Sequence, residues 1–191
     1  MNSQPKKIGL YGGTFDPIHN GHLILARDAR ELFQLDYVVF ILAKISPHKL
    51  GRPPATAEHR RQLVHSALEG EEGFQFDDSE LHRAGPSFTI DTVRAYKERF
   101  PETQLYYFIG DDNVDELDTW KDIEELKQLV QFVILSRAGT PFFLSYPMVT
   151  RRVEISSTEI RNRIARGQSV RYMVPHSTCT LIEQLGIYRN D

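Results

Sequence analysis

The chain has 191 residues, with 23 Lys and Arg against 26 Asp and Glu, a formal charge of −3, and 40% hydrophobic residues. That length suits one α/β domain with a sizeable core, and the slightly acidic balance argues against wholesale nucleic-acid binding. The single cysteine, Cys179, excludes an intramolecular disulfide and a thiolate metal cluster, and no apolar stretch approaches the roughly 18 residues of a membrane span. Met1 to Lys7 is polar and lacks the apolar segment of a secretory signal, so a reducing cytoplasmic compartment is expected.

In chain order, a strand is predicted at Lys7–Tyr11 and a helix from Leu23 to Leu35, with Leu23, Ile24, Leu25, Ala26, Arg30 and Phe33 on its apolar face. A strand at Tyr37–Leu42 and a Pro- and Gly-rich loop over Ile45–Ala55 follow. Thr56 can cap a helix carrying Leu63, Val64 and Leu68, with Gly70 past its end. A strand at Phe74–Phe76 precedes a helix through Ile90, Val93, Tyr96 and Lys97 that stops near Pro101. A strand at Leu105–Ile109 leads to a helix through Ile123, Leu126, Leu129 and Val130. Strands at Phe132–Leu135 and Arg152–Ile155 flank a second open loop, Ala138–Met148. Ser156 or Ser157 can cap the next helix, which ends near Gly167, and Pro175 opens a last one closed by Gly186. Strands alternating with helices predict a single Rossmann-like α/β domain over residues 1–191, doubly wound, with a mostly parallel sheet and helices on both faces. Its helical C-terminal part covers about 156–191. Ligands in such sheets bind at the carboxyl ends of the strands, near the point where strand order reverses.

The run Gly12-Gly13-Thr14-Phe15-Asp16-Pro17-Ile18-His19-Asn20-Gly21-His22 falls at such an end. A strand, a glycine turn and a helix start place free N–H groups and the helix dipole where they can hold phosphate. His19 and His22 add imidazole donors three residues apart, with a protonation state the sequence does not reveal. A sharp strand-to-helix turn without a ligand would use the same glycines. Ser156-Ser157-Thr158-Glu159-Ile160-Arg161 is a second hydroxyl-rich helix start. It reads as a capping box, or as a phosphate site in which Arg161 supplies a forked cation, and the same orphan N–H groups serve both. In Ile109-Gly110-Asp111-Asp112-Asn113, Gly110 permits close approach and Asp112 can accept from ribose hydroxyls, or cap the turn. Gly85-Pro86-Ser87-Phe88-Thr89-Ile90-Asp91-Thr92 is a helix start able to take a carboxylate, or simply capped. Lys44, His48 and Lys49 can bring positive charge to a phosphate or form a solvated basic loop. The two helical histidines lack the carboxylate pattern of zinc hydrolases, and no P-loop or nucleophile elbow occurs.

The first run resembles the signature of the nucleotidyltransferase superfamily, a His-x-Gly-His element after the first strand. Its full form is similar to the pyridine-nucleotide adenylyltransferases, and matches to the bacterial nicotinate-nucleotide adenylyltransferases extend through the chain. The resemblance implies adenylyl transfer from ATP, with Mg2+, to nicotinate mononucleotide, giving nicotinic acid adenine dinucleotide and pyrophosphate. It implies catalytic roles for His19, His22 and Arg161. It implies ATP contacts from Gly12, Gly13, Thr14, Phe15, Gly110, Asp112, Arg137, Ser156, Ser157 and Thr158. Acceptor contacts are implied for Asp16, Lys44, His48, Lys49, Phe88, Thr89 and Trp120, the last stacking on the pyridine ring. No protein-held metal is implied; Mg2+ arrives on the ATP phosphates. The chain departs from the pattern at Asp111, where a small residue is usual, at Phe88 for Tyr, and at Ala43 and Ser46 for Pro. Neither nucleic acid nor membrane is an expected partner, and self-association is left open. Two other readings stand beside this one: a nicotinamide mononucleotide or other phosphorylated acceptor, and a non-catalytic nucleotide-binding module of the same fold.

Overall fold

A computed structural model describes residues 4–44, 55–137 and 146–189. Six strands form one sheet: β1 (Lys7–Gly13), β2 (Tyr37–Leu42), β3 (Phe74–Asp77), β4 (Gln104–Gly110), β5 (Val130–Ser136) and β6 (Met148–Thr150). Their order is β3-β2-β1-β4-β5-β6, and every neighbouring pair is parallel. The order reverses between β1 and β4, which sets a crevice at their carboxyl ends. Helices α1 (Asn20–Phe33), α2 (Ala57–Leu68), α3 (Ser79–His82), α4 (Thr89–Arg99), α5 (Ile123–Leu129), α6 (Ser157–Ala165) and α7 (His176–Leu185), with short 3-10 turns at Asp111–Asn113 and Leu117–Thr119, complete the described elements. Among the described residues no helix is long and apolar enough to cross a membrane.

The period of two along each strand decides which helices cover which face. Val38, Phe40, Leu42, Phe108, Val133 and Leu135 pack with Leu25, Ala26 and Ala29 of α1, Leu63 and Val64 of α2, and Ile182 of α7. Leu10, Val39, Ile41, Leu105, Ile109 and Phe132 point the other way, against Ile90 and Val93 of α4 and Leu126 of α5. Central strands buried on both faces read as near-continuous apolar runs, as in Tyr-Val-Val-Phe-Ile-Leu of β2. A Cβ at Gly9 would collide with Phe108 and Leu35, so this strand position admits only glycine at the observed helix-to-sheet spacing.

Helix starts follow the sequence chemistry. Thr56 accepts from the His59 N–H at 3.1 Å, and Ser156, rather than Ser157, is the α6 cap, accepting from the Glu159 N–H at 3.1 Å. Pro175 is the α7 N-cap, and Gly186 closes that helix in left-handed backbone at φ 62°.

The last predicted strand is displaced. Arg152–Ile155 is extended but unladdered, and the pairing strand is Met148–Thr150. Its partner β5 ends at Ser136, so beyond Thr150 only the Arg151 N–H to Ser136 O (3.0 Å) and Val153 N–H to Arg137 O (3.3 Å) bonds remain. Val130 opens β5 instead of closing α5. On α1 the buried stripe is Gly21, Leu25, Ala26 and Ala29, while Ile24 is exposed, because small residues let the helix lie close to the sheet.

Candidate active site

The β1–α1 turn is built around two histidines that cap one another. His19 is the N-cap of α1, and its Nδ1 accepts from the His22 N–H at 3.3 Å. The His22 Nδ1 in turn accepts from the His19 N–H at 3.2 Å. The rings stack with centroids 3.6 Å apart and planes 18° from parallel. With both Nδ1 atoms accepting, the hydrogen bonding assigns neutral rings that carry their proton on Nε2. His19 is fully buried, and burial, with the Arg137 charge second, pushes its pKa down to about 3. Its Nε2 is buried and has no hydrogen-bond partner among the described residues. Phe15, in left-handed backbone at φ 45°, fixes His22 from the side with its ring edge-on at 5.2 Å. Gly12 lies directly beneath the Tyr107 hydroxyl, where a Cβ would collide.

The α6 start is tied to this turn. The Ser157 Oγ donates to the Pro17 carbonyl at 2.9 Å, and Arg161 Nη1 donates to the Asp16 carbonyl at 2.7 Å. Arg161 Nη2 donates to Thr158 Oγ1 at 3.1 Å, so the guanidinium is splinted on its own helix. Two helix N-termini and an arginine therefore converge at the end of β1. Beside them a recess of about 410 Å³ is lined by Asp111, Arg137, Val153, Glu154, Ile155 and Ser156. Arg137 lies 3.9 Å from Asp112 Oδ2 and donates to the Ile155 carbonyl at 3.4 Å. The unusual Asp111 accepts from the buried Ser136 hydroxyl at 2.9 Å, which gives its charge a fixed partner.

A second cleft, of about 480 Å³, is lined by Gly12, Gly13, Thr14, Phe88, Thr89, Gly110, Asp112 and Trp120, among others. Trp120 is half-buried, its ring edge-on to Tyr107 at 5.9 Å and to Phe132 at 6.3 Å. The α4 N-terminus opens into this cleft with no side-chain cap from Phe88. The Thr89 hydroxyl lies 3.4 Å from the Tyr107 hydroxyl, and the Lys121 ammonium sits 4.6 Å over the Phe88 ring.

Two residues expected at the acceptor carry bonds to the scaffold. The Asp16 carboxylate is buried behind the turn, bonded to the Tyr188 hydroxyl and the Ala55 N–H at 2.7 and 3.1 Å. The Lys44 ammonium donates to the Arg83 carbonyl at 2.9 Å. His48 and Lys49 lie outside the described residues, as do 45–54 and 138–145 of the two open loops.

Sequence reasoning missed Arg60, which is 1% exposed and donates to the carbonyls of Ala55, Thr14, Ala43 and Lys44 at 2.8–3.2 Å. It holds the ends of β1 and β2 to the start of α2. The signal was present: Arg60 shares the stripe of Leu63, Val64 and Ala67, where an arginine must be paired. Tyr188 and Glu80 were also missed. Glu80 accepts from the Thr92 hydroxyl at 2.6 Å, and Arg83 Nη1 donates to that same hydroxyl at 2.6 Å, bracing the α4 start from below.

Among the described residues no group of three or more His, Cys, Asp or Glu could hold a metal ion. The donors at the turn are N–H groups, imidazoles, hydroxyls and guanidinium groups, which suit phosphate oxygens rather than a cation.

Residues 10–163 match the family model described as cytidylyltransferase-like. A chain from Opitutus terrae named probable nicotinate-nucleotide adenylyltransferase is 39% identical, covering 96% of this chain and 98% of its own length. One of the same name from Thermus thermophilus is 41% identical, covering 96% and 100%. In fold, the Plasmodium falciparum nicotinic acid mononucleotide adenylyltransferase complexed with NaAD superimposes with a TM-score of 0.80 at 20% identity, over 96% of this chain and 97% of that one. On the family model and on relatives about 40% identical over nearly the whole chain, this protein belongs to the nicotinate-nucleotide adenylyltransferases of the cytidylyltransferase-like nucleotidyltransferase family.

Proposed function

We propose that this enzyme transfers the adenylyl group of ATP to nicotinate mononucleotide, releasing pyrophosphate and forming nicotinic acid adenine dinucleotide. The observation that carries this reading is the pair of neutral, mutually capped histidines at the β1–α1 turn, one with an orphan buried donor, facing a second helix start that bears Arg161.

An oxygen of the acceptor phosphate attacks the α-phosphorus, the bond from that phosphorus to the α–β bridging oxygen breaks, and pyrophosphate leaves with the electron pair. The attacking group is already an anion, so the protein needs no nucleophile of its own; it positions and stabilises charge. In this reading His19 and His22 donate from Nε2 to oxygens that gain charge as the bond breaks. Thr14, the N–H groups of Gly12, Gly13 and Phe15, and those of Ser156, Ser157 and Thr158 cradle the triphosphate, with Arg161 and Arg137 as fixed cations. Gly110 and Asp112 border the ribose. Mg2+ would be held by the ATP phosphates rather than by protein side chains, and would neutralise part of their charge.

The acceptor takes the second cleft, with its pyridine ring against Trp120 and its carboxylate at the uncapped start of α4, near Phe88 and Thr89. A helix N-terminus favours a carboxylate over a neutral amide. His48 and Lys49 are proposed for the acceptor phosphate. Asp16 and Lys44 support the site through their neighbours rather than by touching the acceptor. Pyrophosphate release with ATP, Mg2+ and either mononucleotide tests the reading. Release with the nicotinate form, and much less with the nicotinamide form, is expected. Equal release with both overturns the acceptor assignment, and none with either overturns the activity.

A further inference from the structure

Asp16 is the charged residue of the phosphate turn and is 7% exposed. Its Oδ1 is held by the Tyr188 hydroxyl at 2.7 Å and the Ala55 N–H at 3.1 Å. Its Oδ2 stands 3.7 Å from Arg161 Nη1, an ion pair too long for a hydrogen bond, while that nitrogen donates to the Asp16 backbone carbonyl at 2.7 Å. A carboxylate and a guanidinium this close normally form a forked pair. Here the two bonds to Oδ1 hold the carboxylate out of that arrangement.

Tyr188 follows the α7 C-cap at Gly186, with a buried side chain and left-handed backbone at φ 65°, a conformation that disfavours any side chain. Burial and the Asp16 charge both raise its hydroxyl pKa, so it stays a donor. The other charge near Asp16 is Arg60, whose guanidinium bonds four backbone carbonyls rather than the carboxylate.

We propose that Tyr188 is a positioning residue for adenylyl transfer: its hydroxyl holds the Asp16 carboxylate in a loose ion pair with Arg161, short of a hydrogen-bonded fork, so that the guanidinium remains available to the departing pyrophosphate. This rests on the reading of Arg161 as a triphosphate ligand. Without the hydroxyl, the carboxylate closes into a hydrogen-bonded fork with Arg161 and withdraws it. A Tyr188→Phe enzyme therefore loses turnover through a charge that an amide at position 16 would not supply.

The test compares kcat and both KM values for the wild type, Tyr188→Phe and the double variant Asp16→Asn/Tyr188→Phe, with melting curves to set a temperature at which each is folded. Tyr188→Phe is expected to lower kcat by about 10-fold to 100-fold, the scale of a misplaced catalytic group. The KM for the mononucleotide should not move, and the double variant should recover part of the loss. Wild-type turnover in Tyr188→Phe, or a double variant as slow as the single one, overturns the proposal. If Tyr188→Phe does not fold, the double variant decides. Folded and active, it supports the lock; unfolded, it shows that Tyr188 only holds the fold. Wild-type enzyme that releases no pyrophosphate overturns the functional reading itself, and the lock with it.

Discussion

His19 and His22 use their Nδ1 atoms to complete the α1 N-terminus, so each ring carries its proton on Nε2. Replacing His22 by alanine is expected to lower turnover by about 10²–10³-fold, as for loss of an oxyanion-type donor. Steady-state pyrophosphate release checks this; wild-type turnover would remove His22 from the mechanism. The depressed pKa of His19 carries a stability consequence. In the unfolded chain it takes up a proton near its ordinary pKa of 6.5, whereas in the fold it does so only near about 3. Between those values the unfolded state binds more protons, so stability falls as pH falls through that window. Melting temperatures measured from pH 7 to 4 should decline, and His19→Asn should decline less steeply; identical slopes would contradict the buried neutral ring. The motif itself was legible, because residue types and spacing mark it. The protonation of His19 was not, since it depends on burial beneath the Arg137 field, which only the folded chain creates.

At the scale of elements, the helix starts were legible wherever a Ser or Thr caps with its own hydroxyl, as at Thr56 and Ser156. The last strand was not, because Arg152–Ile155 has the apolar alternation of a strand, and pairing is decided by where β5 ends. Arg60 shows the same limit from the other side: four carbonyls from three elements supply its partners, and none is adjacent in sequence except through Ala55–Thr56. Truncating that contact in Arg60→Met leaves buried carbonyls unpaired. It should destabilise the protein by roughly 3 kcal/mol, on the scale of hydrogen bonds to a buried charged group. Urea unfolding reads this directly, and a change within about 0.5 kcal/mol, the range of surface substitutions, would show that water replaces the guanidinium without cost.

For the whole molecule, the phosphate turn proposed for ATP and the cleft proposed for the acceptor both lie at the carboxyl edge of the sheet, where the strand order reverses. On the proposed reading the two substrates meet at Gly12 and Gly13, and their binding should be separable. Trp120→Ala is expected to raise the KM for the mononucleotide about 10-fold, the scale of one base-stacking contact, while the KM for ATP stays within about twofold. A matching rise for both substrates would mean that Trp120 supports the sheet edge rather than the pyridine ring. The doubly wound architecture was legible from the alternation of elements. What the alternation could not give is how each charge is held: the Asp16 carboxylate, inside the motif, is bonded to Tyr188 and Ala55, and the Lys44 ammonium, after β2, to the Arg83 carbonyl.

The central claim is cleavage of ATP between the α- and β-phosphorus with capture of the adenylyl group. The direct measurement is a phosphorus NMR spectrum of the enzyme turning over ATP, Mg2+ and nicotinate mononucleotide. Pyrophosphate and the dinucleotide diphosphate are expected in equal amounts as the ATP signals fall. ADP with inorganic phosphate, pyrophosphate without the dinucleotide, or unchanged ATP would contradict it.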